Sequence, residues 1–444
     1  MNQLTLPLGV ETAQEANYKD RTINRLTNQD KAFHDWYRFV LSYPAHLVRD
    51  YIQDFGLDSN STLLDPFCGT GTTIVEAKRN RIAGIGIEAN PFAHFAGSVK
   101  LQWNLDSDGL RAFAHTVAEQ ARSQLAQQGI DDQVKFRGNL DALPLLTLPA
   151  EAEKLLIKNS ISALPLHKIL VLRNCLDQYQ SSVFYAHARL ALAKTIVFGA
   201  SNVRFGPEIS IGKAKIDVEV IASWLAGIDQ MAKDVKLVAG QSFSPALIHH
   251  ADARQLSTLI PPHSVDAVIT SPPYPNEKDY TRTTRLESII LEFVNNNAEL
   301  RTFKKGLLRS NTRGVYKEDT DDQWVAHHAN INELAAHIEA RRIALNKTSG
   351  FERLYAKVTK LYFGGMARHL AELRTVLRPG AKLAYVVGDQ ASYLQVLIRT
   401  GQLLTEIAEE LGYRVDRIDL FRARAATATK TELREEVVVL EWMG

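Results

Sequence analysis

Cysteine is scarce: Cys68 and Cys175 are the only two in 444 residues. Two thiols supply neither a disulfide framework nor a zinc quartet, and they point to a reducing, cytoplasmic setting. Nowhere do about eighteen uncharged apolar residues run together, and the N-terminus lacks a basic-then-apolar signal pattern, so no membrane segment is read. Charge of one sign is missing too. The 52 Lys and Arg face 50 Asp and Glu, a formal net of +2, so any surface for a polyanion has to be local. The thirteen histidines form no helical His-x-x-x-His pair with a nearby acid, and no metal site is read. Internal repeats and low-complexity stretches are also absent.

What is present is the composition of a soluble globular chain, 45% apolar and 23% charged, long enough for one large core with insertions. Residues 1–32 are polar and weakly periodic, and are expected to form an arm. Helical spacing from Phe33 to Phe55, interrupted at Ser42-Tyr43-Pro44, predicts two short helices. Ser61 to Leu64 then reads as a strand, followed by a glycine loop, a helix from Ile74 to Arg79 and a strand from Ala83 to Ile87. That order is a βαβ unit opening a doubly wound sheet. Long helical stretches occupy 101–242, after which strands are expected at Ala246–His250 and Val265–Thr270. Beyond a further insertion come a helix at Met366–Leu377, a turn at Pro379-Gly380 and a strand at Leu383–Gly388. A helix at Leu403–Leu411 and an antiparallel pair, Arg417–Phe421 with Glu435–Trp442, close the chain.

Two loops carry the chemistry. Asp65-Pro66-Phe67-Cys68-Gly69-Thr70-Gly71-Thr72 ends a buried strand, where open α/β sheets bind ligands. It lacks the lysine of a phosphate loop and the G-x-G-x-x-G spacing, which disfavours ATP and NAD. Glu88 ends the next strand, where a carboxylate can accept both hydroxyls of a ribose. The sharper signal is Ser271-Pro272-Pro273-Tyr274 after the strand Val265–Thr270. Two prolines cannot continue a ladder and fix a rigid turn, which aims a hydroxyl, a backbone carbonyl and an aromatic ring into one crevice. Such a set suits an exocyclic amine: two acceptors hold its hydrogens while the ring stacks on an extruded base.

With both loops in place, the chain resembles the DNA amino-methyltransferases, the S-adenosylmethionine (AdoMet)-dependent N4-cytosine and N6-adenine enzymes. Asp65-Pro66-Phe67-Cys68-Gly69-Thr70-Gly71 matches their AdoMet loop and Ser271-Pro272-Pro273-Tyr274 their [DNS]-P-P-[YFW] motif. The resemblance implies an α/β fold, a seven-stranded Rossmann-like AdoMet-dependent methyltransferase sheet with mainly helical insertions. It also implies that Asp65, Phe67, Gly69 and Gly71 surround the methionine part of AdoMet, with Cys68, Thr70 and Thr72 in the same loop. Glu88 would then hold the ribose, Asp252 would accept from the adenine amine, and Tyr43-Pro44 would close over the methionine end. The catalytic domain is expected at 33–100, 243–280 and 361–444. Insertions are expected at 101–242, a candidate target-recognition region, and at 281–360, a basic, DNA-contacting one.

The serine form of the tetrapeptide favours cytosine N4 over adenine N6. A transfer-RNA guanine N2 methyltransferase and a non-catalytic DNA-binding protein on the same fold stand as alternatives. No proline-cysteine nucleophile motif is present, which disfavours carbon-5 chemistry through a thiolate. The implied partners are double-stranded DNA and a separately encoded restriction endonuclease. From Lys278 to Lys317 nine cations face only Asp279, Glu287, Glu292 and Glu299. Arg282, Arg285, Lys304, Lys305, Arg309, Arg313 and Lys317 are the expected phosphate or guanine contacts. Ser201 to Pro207, with Asn202 and Arg204, is a second stretch able to face the major groove.

Overall fold

The computed structural model describes residues 27, 30–39, 42–206, 209–276, 278–425 and 432–444. Most of the expected N-terminal arm therefore lies outside the described residues. Strands β1 (Thr62–Asp65), β2 (Ala83–Glu88), β5 (Ala246–His250), β6 (Val265–Thr270), β7 (Leu377–Gly388), β8 (Tyr413–Ala425) and β9 (Glu432–Trp442) form one sheet. Its order is β5-β2-β1-β6-β7-β9-β8. All neighbours are parallel up to β7, and β9 runs antiparallel to both β7 and β8. This is the seven-stranded, Rossmann-like sheet with the expected antiparallel pair. The short strands β3 (Val203–Phe205) and β4 (Ile209–Ile211) form a separate hairpin.

The central strands are apolar runs because helices cover both faces. Leu63, Leu64, Val268 and Ile269 are fully buried. Strand order reverses between β1 and β6, which opens a crevice at their carboxyl ends.

Three local expectations need correction. Among the described residues from Phe33 on, a three-residue turn, His34–Trp36, precedes the helix Ala45–Asp54, which Pro44 opens from an extended backbone. Pro379-Gly380 makes no turn before a strand; it lies inside β7. There Val265 pairs with Leu377 and Ala267 with Lys382, so the strand bulges around the proline and Gly380 takes φ 82°. The helix expected at Met366–Leu377 runs Tyr355–Leu373 and crosses the anticipated boundary at 360/361.

The first insertion is helical, with Ser107–Ala126, Ala163–Asp177, Tyr185–Lys194 and Val220–Leu237 as its long members. It shares a hydrophobic core with the sheet's own helices, running from Ile74 and Phe92 to Trp224 and Ile228. Residues 33–37 stitch the two together. Trp36 donates to Asp234 at 2.8 Å and Lys194 to Asp35 at 2.9 Å, while Tyr37 reaches Glu287 of the second insertion. Among the described residues no helix is long and apolar enough to cross a membrane.

Candidate active site

The crevice at the switch point is a cavity of about 700 Å³, within the roughly 300–1,000 Å³ of small-molecule and cofactor sites. On one side it is walled by Phe67, Cys68, Gly69, Thr72, Glu88 and Asp252, and on another by Ser271, Pro272, Pro273 and Tyr274. The two loops singled out in the sequence therefore face one space. Tyr43 forms part of the wall near the first loop.

Asp65 is the fastener between the loops. It is fully buried and does not reach the cavity wall. One oxygen accepts from the Thr270 hydroxyl at 2.6 Å and from the Phe67 N–H at 3.1 Å, and the other accepts from Tyr43 at 3.0 Å. Because Thr270 immediately precedes Ser271, this carboxylate locks the end of β1 to the end of β6. Burial raises its pKa against the pull of the hydroxyl donors.

The loop itself turns on Gly69 and Gly71, at φ 52° and 82°, a region that side chains with a Cβ rarely adopt. Three further residues of the expected ligand set sit behind the wall. Thr70 is buried and its carbonyl accepts from Lys100 at 3.1 Å, Gly71 caps the helix Thr72–Arg79, and Pro44 caps Ala45–Asp54. Cys68 reaches the wall, but burial pushes its thiol pKa up, so it is an inert packing group.

Glu88 has the geometry of a diol acceptor. One oxygen accepts from the Gly69 N–H at 2.8 Å and the other from the Asn90 N–H at 2.7 Å. Each oxygen keeps a second lone pair for a ligand hydroxyl. Burial, with Asp65 nearby, pushes its pKa up to about 7 despite those two amides. Asp252 also lines the cavity, yet Arg254 grips it at 2.9 and 2.6 Å and reaches on to Asp321 in the second insertion.

In the other loop, the Ser271 hydroxyl donates to the Val386 carbonyl at 3.1 Å, which leaves its oxygen free to accept. Tyr274 is fixed from its backbone, whose N–H donates to the Tyr280 hydroxyl at 3.0 Å. Its ring lies where a side chain on Gly388 would sit: a Cβ there would be 2.9 Å from the ring and 3.3 Å from Glu435. Glu435, forked to Arg422, continues that wall.

The remaining wall comes from within 304–311. Lys304 is paired with Asp279 at 2.8 Å. Arg309 is buried, bound to Asp319 at 2.9 Å, and donates to the Lys304 and Lys305 carbonyls. Arg285 is spent on Thr281 and the Leu155 carbonyl. These three, expected as DNA contacts, are each engaged by partners within the protein. The Asn276 N–H donates to the Ser310 carbonyl at 2.9 Å and Tyr393 donates to the same oxygen, so 304–311 is zipped onto the segment after Tyr274. Lys305, Arg313 and Lys317 are exposed and Arg282 half-buried, all outside the cavity.

Sequence reasoning missed Thr270, Tyr280, Gly388, Arg422 and Glu435. Of these only Thr270 carried a signal, its place directly before the tetrapeptide.

A Rossmann-like sheet with a glycine loop and an S-P-P-Y turn on one cavity is the arrangement that the resemblance leads one to expect. Comparison with known proteins agrees. Residues 12–96, which hold β1, the glycine loop and β2, match the family model for DNA methylase. The chain is 24% identical to the type II methyltransferase M.BsoBI of Geobacillus stearothermophilus, over 97% of this chain and 89% of that one. It is 23% identical to the type II methyltransferases M.AvaI of Nostoc sp. and of Anabaena variabilis, over 88% of this chain and 81% of each. By these matches the chain is similar to DNA amino-methyltransferases, whose general methyl donor is AdoMet.

Proposed function

We propose that this protein methylates the exocyclic amine of a base flipped out of double-stranded DNA, with cytosine N4 as the acceptor, as the modifying partner of a separately encoded restriction endonuclease. One observation carries the reading: the Gly69 turn and the Pro272 turn wall the same cavity, fastened by Asp65 and Thr270. The serine at 271 favours cytosine over adenine.

Bound AdoMet would supply an electrophilic methyl on its sulfonium. Gly69, Phe67 and Thr72 would form the wall for its methionine part. Glu88 would accept the ribose hydroxyls, and Asp252, steadied by Arg254, would accept from the adenine amine. The fit rests on the paired lone pairs of Glu88 and on the size of the cavity.

On the substrate side, Tyr274 stacks on the flipped base. The Ser271 oxygen and a backbone carbonyl of the Pro-Pro turn accept the two amine hydrogens. That draws the nitrogen lone pair out of conjugation and aims it at the methyl. No strong base is required, because the methylated ammonium is acidic and sheds its proton after transfer.

Ser271→Ala tests the assignment. Methylation of unmodified genomic DNA should fall about a hundredfold or more, as positioning arguments give, while AdoMet affinity measured by calorimetry stays at the wild-type value. Equal loss of AdoMet binding would remove Ser271 from the role. Nucleoside analysis of the wild-type product separates N4-methylcytosine from N6-methyladenine.

A further inference from the structure

The hairpin β3–β4 has no part in the chemistry above, yet it is held with unusual care. At its base Asn202 donates to the Asn159 carbonyl at 3.0 Å and to Ser162 at 3.2 Å, and accepts from the Lys215 N–H at 2.7 Å. Ser201 ties back to the Val197 carbonyl at 2.6 Å. Asn202 is thus a buried anchor and not a groove-facing side chain.

The strands pair Val203 with Ile211, Arg204 with Ser210 and Phe205 with Ile209. Val203, Phe205, Ile209 and Ile211 are half-buried on one face, while Arg204 and Ser210 are exposed on the other. Val203 and Phe205 share a small crevice with Arg282, Thr283 and Leu286, in the segment that follows the catalytic turn. The ribbon is therefore positioned against the cavity's own neighbourhood.

Its outer face is built for an anionic, hydrogen-bonding surface. Gly212 leaves the space that the Arg204 side chain fills, since a Cβ there would lie 2.4 Å from Nε. Among the described residues no hydrogen bond or ion pair engages the guanidinium of Arg204 or of Arg282. Lys213 adds a further exposed cation.

We infer that β3–β4 is a two-stranded ribbon that enters the DNA major groove, with Arg204 reading a guanine and Arg282 meeting a backbone phosphate. This rests on the DNA reading proposed above. A major groove about 12 Å wide admits such a ribbon, and the arginine fork matches the adjacent O6 and N7 acceptors of guanine, a pattern no other base presents.

The test expresses the full chain, as wild type and as Arg204→Ala, Arg204→Lys and Arg282→Ala, in a host without DNA methylation. Modification-sensitive sequencing then reads the motif of each, and AdoMet calorimetry checks that each is folded. Wild type should give one motif containing guanine. Arg204→Ala should lose discrimination at one guanine by about tenfold to a hundredfold, and Arg204→Lys, which keeps the charge without the fork, should not restore it. Arg282→Ala should keep the motif and lower the salt dependence of binding by about one unit of log–log slope.

An unchanged motif and preference in Arg204→Lys or Arg204→Ala overturns the inference, as does a change in oligomeric state with no change in motif. Wild type that leaves DNA unmodified fails on its own, before any variant is read, and sinks the functional reading with it.

Discussion

Two walls of one cavity are built by different physics. The strand-end wall is made by turns that their own residues dictate: glycines at positive φ in one loop, two prolines in the other, with one buried carboxylate between them. The opposite wall, 304–311, has no such local grammar. It stands because Asp279, Asp319 and Tyr393, distributed along the chain, engage its cations and carbonyls. The first wall fixes the two loops relative to each other. The second closes the space and leaves only its outward cations for a partner.

The comparison breaks hardest if the fastener is cut. Thr270→Val keeps the shape of the side chain and removes the hydroxyl that donates to Asp65. A buried carboxylate then loses a partner, and unfolding free energy in urea should drop by about 1–3 kcal/mol. If Asp65 sets the spacing of the two loops, methyl transfer should fall about a hundredfold, the effect of roughly 1 Å of misplacement. A variant with wild-type turnover would show that the loops hold their spacing without the bridge.

A smaller effect sharpens the same wall. Glu88 carries a pKa of about 7 because of burial. Since that value is raised above the unfolded one, the stability it contributes to the ligand-free protein is complete below about pH 4.5 and is lost as pH rises through about 7. If Glu88 accepts the ribose hydroxyls it does so in its ionised form, so AdoMet affinity would run the other way. It should weaken about tenfold from about pH 8 to about pH 6, following the ionised fraction. Glu88→Gln should bind more weakly and show no such dependence in calorimetry. An equal slope in both proteins would place the titrating group elsewhere.

Legibility followed the same division. Asp65 to Thr72, Glu88 and Ser271 to Tyr274 were readable because each signal is a short run whose turn chemistry is local, and the βαβ order placed them at one sheet edge. Asp65 was read as a ligand contact because a strand-end acid gives no sign of which way its oxygens face; only the third dimension supplies Thr270 and Tyr43. Arg309 and Lys304 were read as DNA contacts because a charge run does not reveal that Asp319 and Asp279 consume them. Pro379-Gly380 reads as a turn in any sequence, and the bulge that absorbs it is a property of β6 and β7 together. Glu435 sits in an ordinary alternating strand, with nothing to mark its place beside Tyr274.

The finest distinction falls within the basic segment itself. Lys305, Arg313 and Lys317 are exposed, whereas Arg309 is 5% exposed and paired. If the exposed three meet phosphates, each replacement by alanine should lower the slope of log affinity against log salt by about one, with the recognised motif unchanged. Arg309→Met should leave that slope alone and instead destabilise the fold by about 3 kcal/mol, because Asp319 loses its buried partner. Binding isotherms at several salt concentrations, set beside urea melts of the same proteins, separate the two classes of cation. A slope change in Arg309→Met equal to that of Lys305→Ala would erase the division between inner brace and outer contact.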